Sequence, residues 1–168
     1  MEDPEVYHQY GRTLNKIEDI TLRKKFRTWE TKGIWCYGPT GVGKSHLAFA
    51  NFSNESHYVY PNDSGWWDGY QGQEIVIFNE FRGSTLKFSE LLDLLDKYPK
   101  TVRRRCREPV PFLAKYVFLC SSMSPEVAYS GIMGMEGIDQ LYRRVDILPM
   151  KIQGDYEDYT VESWTNSL

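Results

Sequence analysis

Three short, nearly continuous apolar runs recur along the chain, with helical patterns between them. Gly33-Ile34-Trp35-Cys36-Tyr37 is β-branched and aromatic and lies between glycines, which predicts a buried strand. Ser45-His46-Leu47-Ala48-Phe49-Ala50 follows with a helical pattern. Glu74-Ile75-Val76-Ile77-Phe78 predicts a second buried strand, residues 88 to 96 an amphipathic helix, and Tyr116-Val117-Phe118-Leu119-Cys120 a third strand. Between residues 13 and 32, Leu14, Ile17, Ile20, Leu22 and Phe26 stand at loose helical spacing among charges, which predicts one or two short helices. Residues 51 to 73 are rich in Ser, Asn, Gly and Tyr. Despite the strand-like Tyr58-Val59-Tyr60, this segment is expected to connect elements rather than to form the core. Apolar strands separated by helices imply a mostly parallel sheet covered on both faces, an α/β fold.

The chain has 168 residues, without an internal repeat, and suits one domain. We divide it into an N-terminal helical linker or oligomerisation segment (1–32), a core domain (33–152) and a C-terminal tail (153–168). No apolar run is long enough to cross a bilayer, so a soluble protein with no membrane partner is expected. The formal charge of -3 excludes a broadly basic surface, and nucleic-acid binding would need a local cluster of Lys and Arg. Three cysteines without metal-type spacing suggest buried thiols in a reducing compartment. Met1-Glu2-Asp3-Pro4 has neither the basic n-region nor the apolar stretch of a signal peptide, which points to cytosol or nucleus.

The most informative segment joins the first strand to the helix after it. Gly38-Pro39-Thr40-Gly41-Val42-Gly43-Lys44-Ser45 fits G-x-x-x-x-G-K-[ST] at every fixed position and predicts a P-loop NTPase that binds ATP. Glycines allow the backbone N–H groups to wrap an anion, and the following helix adds the positive end of its dipole. Lys44 would set a point charge on the β and γ phosphates, and the Ser45 hydroxyl would enter a Mg²⁺ shell. Such a site also needs a carboxylate at the end of a neighbouring strand. Glu80, after the second strand, is the candidate water-positioning base and metal partner, with Asn79 as its neutral neighbour. At the end of the third strand, a polar residue such as Ser122 could lie beside the γ phosphate.

Together with Trp66-Trp67-Asp68-Gly69-Tyr70, Phe81-Arg82-Gly83, Tyr98-Pro99, Val110-Pro111-Phe112-Leu113-Ala114 and Leu141-Tyr142-Arg143-Arg144, these motifs resemble the superfamily 3 helicase domain of replication-initiator (Rep) proteins, most closely those of circovirus-like single-stranded DNA viruses. The resemblance covers roughly residues 4 to 150. It implies an AAA+-like domain that assembles into a homo-oligomeric ring, commonly a hexamer, and moves 3′ to 5′ along single-stranded DNA, in a host nucleus. The chain departs from the circoviral pattern at Asn79, where the family has the first acid of a pair, and at Ser122, where the family has an Asn three residues before a Pro. Full-length family members begin with a nicking endonuclease domain. Nothing here matches it, so the chain is expected to be the helicase part of a longer protein.

The resemblance also implies that the basic cluster Arg103, Arg104, Arg105 and Arg107, with Lys115 beyond it, lies on or beside a hairpin that grips the DNA backbone. Guanidinium groups suit phosphate contacts that carry no sequence information. By family position Arg144, and after it Arg143, would act as an arginine finger across a subunit contact. Two other functions remain compatible with the motifs: a P-loop ATPase that remodels or loads without unwinding, and a nucleotide-gated oligomerisation module with little turnover.

Overall fold

Strand by strand, alternate residues point to opposite faces of one sheet and each face has its own core. Ile34 and Cys36, Ile77, and Phe118 and Cys120 join Leu47 and Ala48 on one face. Trp35, Val76 and Phe78, and Val117 and Leu119 join a larger aromatic cluster on the other. That two-residue period is the geometry of a pleated strand, and burial on both faces explains why the sequence reads as apolar runs. In the computed structural model, residues 25–39, 47–62, 65–130 and 135–149 are described.

In chain order the elements are β1 (Lys32–Tyr37), β2 (His57–Val59), β3 (Ile75–Phe78), α1 (Phe88–Leu94), β4 (Thr101–Arg104), β5 (Arg107–Pro111), β6 (Tyr116–Ser121), α2 (Pro125–Ala128), α3 (Met135–Tyr142) and β7 (Val145–Pro149). Five strands form one sheet in the order β2-β3-β6-β1-β7. Every pairing in it is parallel. The fold is therefore α/β with helices against a parallel sheet, as expected. β4 and β5 form a separate antiparallel hairpin. Among the described residues, no helix is long and apolar enough to cross a membrane.

Three expectations are corrected. Residues 51 to 73 do not merely connect, because His57–Val59 is the outer strand of the main sheet. Tyr58, Tyr60, Trp67 and Tyr70 are buried in its aromatic core, where Trp67 meets the rings of Tyr60, Phe78 and Phe112 at 4.9, 5.8 and 5.5 Å. Polar loop composition hid a cluster of rings whose hydroxyls find partners: Tyr70 donates to the Gln73 carbonyl and accepts from the Leu113 N–H. Residues 25 to 31 are not helical; residues 13 to 24 lie outside the described part. Cys36 and Cys120 are buried, but Cys106 is exposed in the turn of the hairpin.

Ahead of β1, Arg27 packs against the end of α1. Its side chain is 3% exposed. Its guanidinium donates to the carbonyls of Asp93 (2.7 Å) and Leu94 (2.5 Å) at the end of α1, to that of Tyr98 (2.6 Å), and to the Thr31 hydroxyl (3.0 Å). The last carbonyls of a helix have no partner within it, and a buried cation there satisfies both hydrogen bonding and the helix dipole. The group also sits over the Phe112 ring at 5.5 Å. Burial pushes its pKa down while Asp96, Tyr70 and Asp93 push it back up. Arg27→Met should keep the aliphatic stem but leave these buried carbonyls without a donor, lowering folding stability by roughly 2–4 kcal/mol. A urea-unfolding midpoint within error of the unsubstituted protein would show that the contact contributes nothing.

Candidate functional site at the carboxyl edge of the sheet

Because all five strands run the same way, their carboxyl ends meet at one edge, where ligands of open α/β sheets bind. Tyr37 of β1 pairs with Ser121 of β6, and Phe78 of β3 pairs with Leu119. Gly38 and the Asn79-Glu80 turn therefore leave the sheet on either side of the end of β6. With neighbouring strands about 4.8 Å apart, two strand spacings put them roughly 10 Å from each other. Gly38 and Pro39 are described; Thr40, Gly41, Val42, Gly43, Lys44 and Ser45 lie outside the described residues.

Glu80 is exposed and adopts a left-handed backbone, with φ at 59°. For a residue with a Cβ that conformation costs about 1–2 kcal/mol, and such outliers cluster at functional sites. The peptides on both sides of it are held. Asn62, in the turn beyond β2, donates its side-chain amide to the Asn79 carbonyl. The Phe81 N–H donates to the Cys120 carbonyl at 2.7 Å, and the Ser121 hydroxyl to the Phe81 carbonyl at 2.8 Å. Gly83 lets this segment run against α2, since a Cβ there would stand 1.9 Å from the Ala128 carbonyl oxygen.

Two serines end β6. Ser122, the one expected beside the γ phosphate, is exposed. Ser121 is 1% exposed and bonded into the turn that carries Glu80. Of the two, Ser121 is turned into the fold and Ser122 toward solvent, a difference that their adjacent places in the sequence do not reveal.

The basic cluster does lie on a β-hairpin, and its arginines divide by face. Arg104 is 3% exposed and donates twice to the Glu108 carbonyl, at 3.1 and 2.8 Å, so it braces the hairpin. Arg105 is tied to Asp68 by its backbone N–H (2.8 Å) and its Nε (2.7 Å), and these bonds hold the Asp68 carboxyl below its usual pKa. Arg103 is exposed and Arg107 half-buried. Lys115 is elsewhere. It lies at the amino end of β6, 3.3 Å from Glu74 and over the Trp29 ring at 5.2 Å.

Arg143 and Arg144 also lie at the amino edge. The Arg144 carbonyl accepts from the Gly33 N–H, so the pair is level with the start of β1. Six residues at about 3.3 Å each separate that level from Gly38, roughly 20 Å. Arg144 is engaged by the Gln140 carbonyl (2.8 Å) and Asp96 (3.7 Å), whereas Arg143 is exposed. Neither can reach the carboxyl edge of its own chain.

The donor set at the carboxyl edge is the Glu80 carboxylate and the Asn79 amide, hard oxygen donors that suit Mg²⁺. Among the described residues no three His, Cys, Asp or Glu gather as a metal cage. Mg²⁺ in phosphate sites takes most of its ligands from phosphate and water and needs only one or two protein oxygens, so the residues present fit it.

The family model described as RNA helicase matches residues 34–123. The replication-associated protein of porcine circovirus 1 is 36% identical over 146 residues, covering 86% of this chain and 46% of the relative's length. That of canary circovirus is 37% identical over 128 residues, covering 76% and 42%. The chain thus spans about half the length of the curated relatives it matches. Among solved structures, the apo form of the NrS-1 C-terminal region superposes with a TM-score of 0.46 at 17% identity, over 95% of this chain and 38% of that one.

The strain at Glu80 yields a prediction independent of any ligand. Glu80→Gly should leave folding stability unchanged or raise it by up to about 1 kcal/mol, because glycine adopts a left-handed φ without the Cβ penalty. A clear loss of stability on urea unfolding would make Glu80 a fold residue rather than one retained at a cost for its carboxylate.

Proposed function

The chain belongs to the RNA helicase family, as a superfamily 3 helicase domain of the circovirus-like replication-associated kind, and from that premise we propose that it is an ATP-driven motor acting on single-stranded DNA during viral replication. One observation carries the reading. The parallel sheet brings the first residue of the glycine loop and the left-handed Glu80 to the same edge, one strand apart on either side of β6.

In this reading the N–H groups of residues 40 to 45 and the Lys44 ammonium hold the phosphates of ATP and offset the charge that develops on the γ-phosphoryl group. Glu80 orients the attacking water and accepts its proton. Mg²⁺, held by Ser45 and Glu80 with Asn79 beside them, would screen the phosphate charge. Arg143 or Arg144 reaches the phosphates of a neighbouring copy, since the amino edge of one subunit must face the carboxyl edge of the next for either to act as a finger. A ring of such copies, commonly six in AAA+-like superfamily 3 proteins, follows from that head-to-tail contact. Arg103 and Arg107 contact DNA phosphates from the hairpin, with Arg104 and Arg105 setting its shape. Movement 3′ to 5′ and work in a host nucleus belong to the same proposal.

Asn79 favours one second reading, a nucleotide-gated oligomerisation module with little turnover, because an amide replaces a carboxylate at the metal. A P-loop ATPase that loads or remodels without unwinding would turn over ATP without a response to single-stranded DNA.

ATP hydrolysis measured with and without poly-dT separates these. The protein should turn over ATP and be stimulated by the strand, and Lys44→Ala should abolish turnover. The Arg103→Ala/Arg107→Ala double variant should keep the basal rate and lose the stimulation. Its DNA affinity should fall, and the slope of that affinity against salt should shrink by about 0.7 per lost phosphate contact. Turnover near the unsubstituted level in Lys44→Ala would overturn the reading.

A further inference from the structure

Ser121 touches both halves of the candidate site with one residue. Its carbonyl accepts from the Gly38 N–H at 3.3 Å, at the start of the glycine loop. Its hydroxyl donates to the Phe81 carbonyl at 2.8 Å and accepts from the Met123 N–H at 3.1 Å. The side chain is almost wholly buried, so this hydroxyl is not shared with solvent. Met123 is itself placed, because its carbonyl accepts from the Trp35 Nε1 at 2.9 Å. On the far side of Glu80, Asn62 holds the Asn79 carbonyl.

We infer that Ser121 is a positioning residue that fixes the Glu80 carboxylate relative to the phosphate loop, with Asn62 holding the other side of the same turn. The inference deepens the ATP-hydrolysis reading and rests on it. A left-handed residue has no strand ladder to keep it in place, and its direction is set by the two peptides that flank it. β3 has ended at Phe78, so the peptide before Glu80 is held by Asn62, the peptide after it by the Cys120 carbonyl of β6, and the next peptide along by the Ser121 hydroxyl. A packing role would need only a small side chain at position 121. The two hydrogen bonds use the hydroxyl itself, once as donor and once as acceptor. A general base misplaced by about 1 Å can lose a hundredfold in rate while ground-state binding is untouched.

The test is steady-state ATP hydrolysis together with binding of a fluorescent ATP analogue, with thermal unfolding as a check on folding. Ser121→Ala should lower kcat on the order of ten- to a hundredfold and leave analogue affinity within about twofold. Ser121→Thr, which keeps the hydroxyl, should recover most of the loss. In a Glu80→Gln background the Ser121→Ala change should add nothing to the residual rate, because the group it positions is gone. Asn62→Ala, at an exposed position, should show the same pattern and decides the matter if Ser121→Ala folds poorly.

A full additional loss in the Glu80→Gln background would make Ser121 a fold residue and overturn the inference. So would a loss of analogue affinity at unchanged kcat, which would assign Ser121 to the phosphate loop alone. Absence of turnover in the unsubstituted protein is a different result, since it sinks the hydrolysis reading itself.

Discussion

The parallel register of β3, β6 and β1 is the constraint on which the rest depends. β6 lies between the strand that precedes the glycine loop and the strand that precedes Glu80, and Tyr37 and Ser121 end their strands level with each other. A slip of one residue in β6 would turn Ser121 outward and bring Ser122 into the core, because the side-chain period of a strand is two. The two covered faces oppose such a slip. Phe118 and Cys120 would have to exchange environments with Val117 and Leu119, and each set is buried in its own cluster. Sheet packing thereby sets the geometry at the edge.

The aromatic cluster on one face extends that control to the loops. Trp67 joins β2 and β3 through the rings of Tyr58 and Phe78, and the hairpin through its backbone N–H, which donates to the Arg103 carbonyl. The next residue, Asp68, ties Arg105 at the hairpin turn. The basic hairpin, held together by its own strand pairing, is thus tied to the sheet by hydrogen bonds with Trp67 and Asp68. Arg27 fastens the chain ahead of β1 to the end of α1 from the same core.

The strands at 33–37, 74–78 and 116–120 were legible because burial on both faces leaves an unbroken apolar run. β2 was legible as the strand-like Tyr58-Val59-Tyr60 but not as part of the core: it is three residues long, at the edge of the sheet, and its burial comes from rings in the polar loop that follows. β7 carries Asp146 and ends in Pro149, and as the other edge strand it is only partly buried, so no apolar run announces it. The glycine loop and Glu80 were legible as motifs, and the left-handed φ was not. Adjacent like residues were the hardest to rank. Arg103 and Arg104, or Ser121 and Ser122, are near-identical to a reader of sequence and face opposite ways in the fold.

Arg143 and Arg144 sit about six strand residues from the carboxyl edge of their own chain, so the proposed catalytic site needs a second copy. The most direct measurement mixes two inactive proteins, Lys44→Ala and the Arg143→Ala/Arg144→Ala double variant, across a range of ratios and follows ATP hydrolysis. In such a mixture a subunit with intact Lys44 can lie beside one with intact arginines. Turnover that appears on mixing and peaks near equal proportions is the result this account predicts; no turnover at any ratio, with assembly intact, would contradict it.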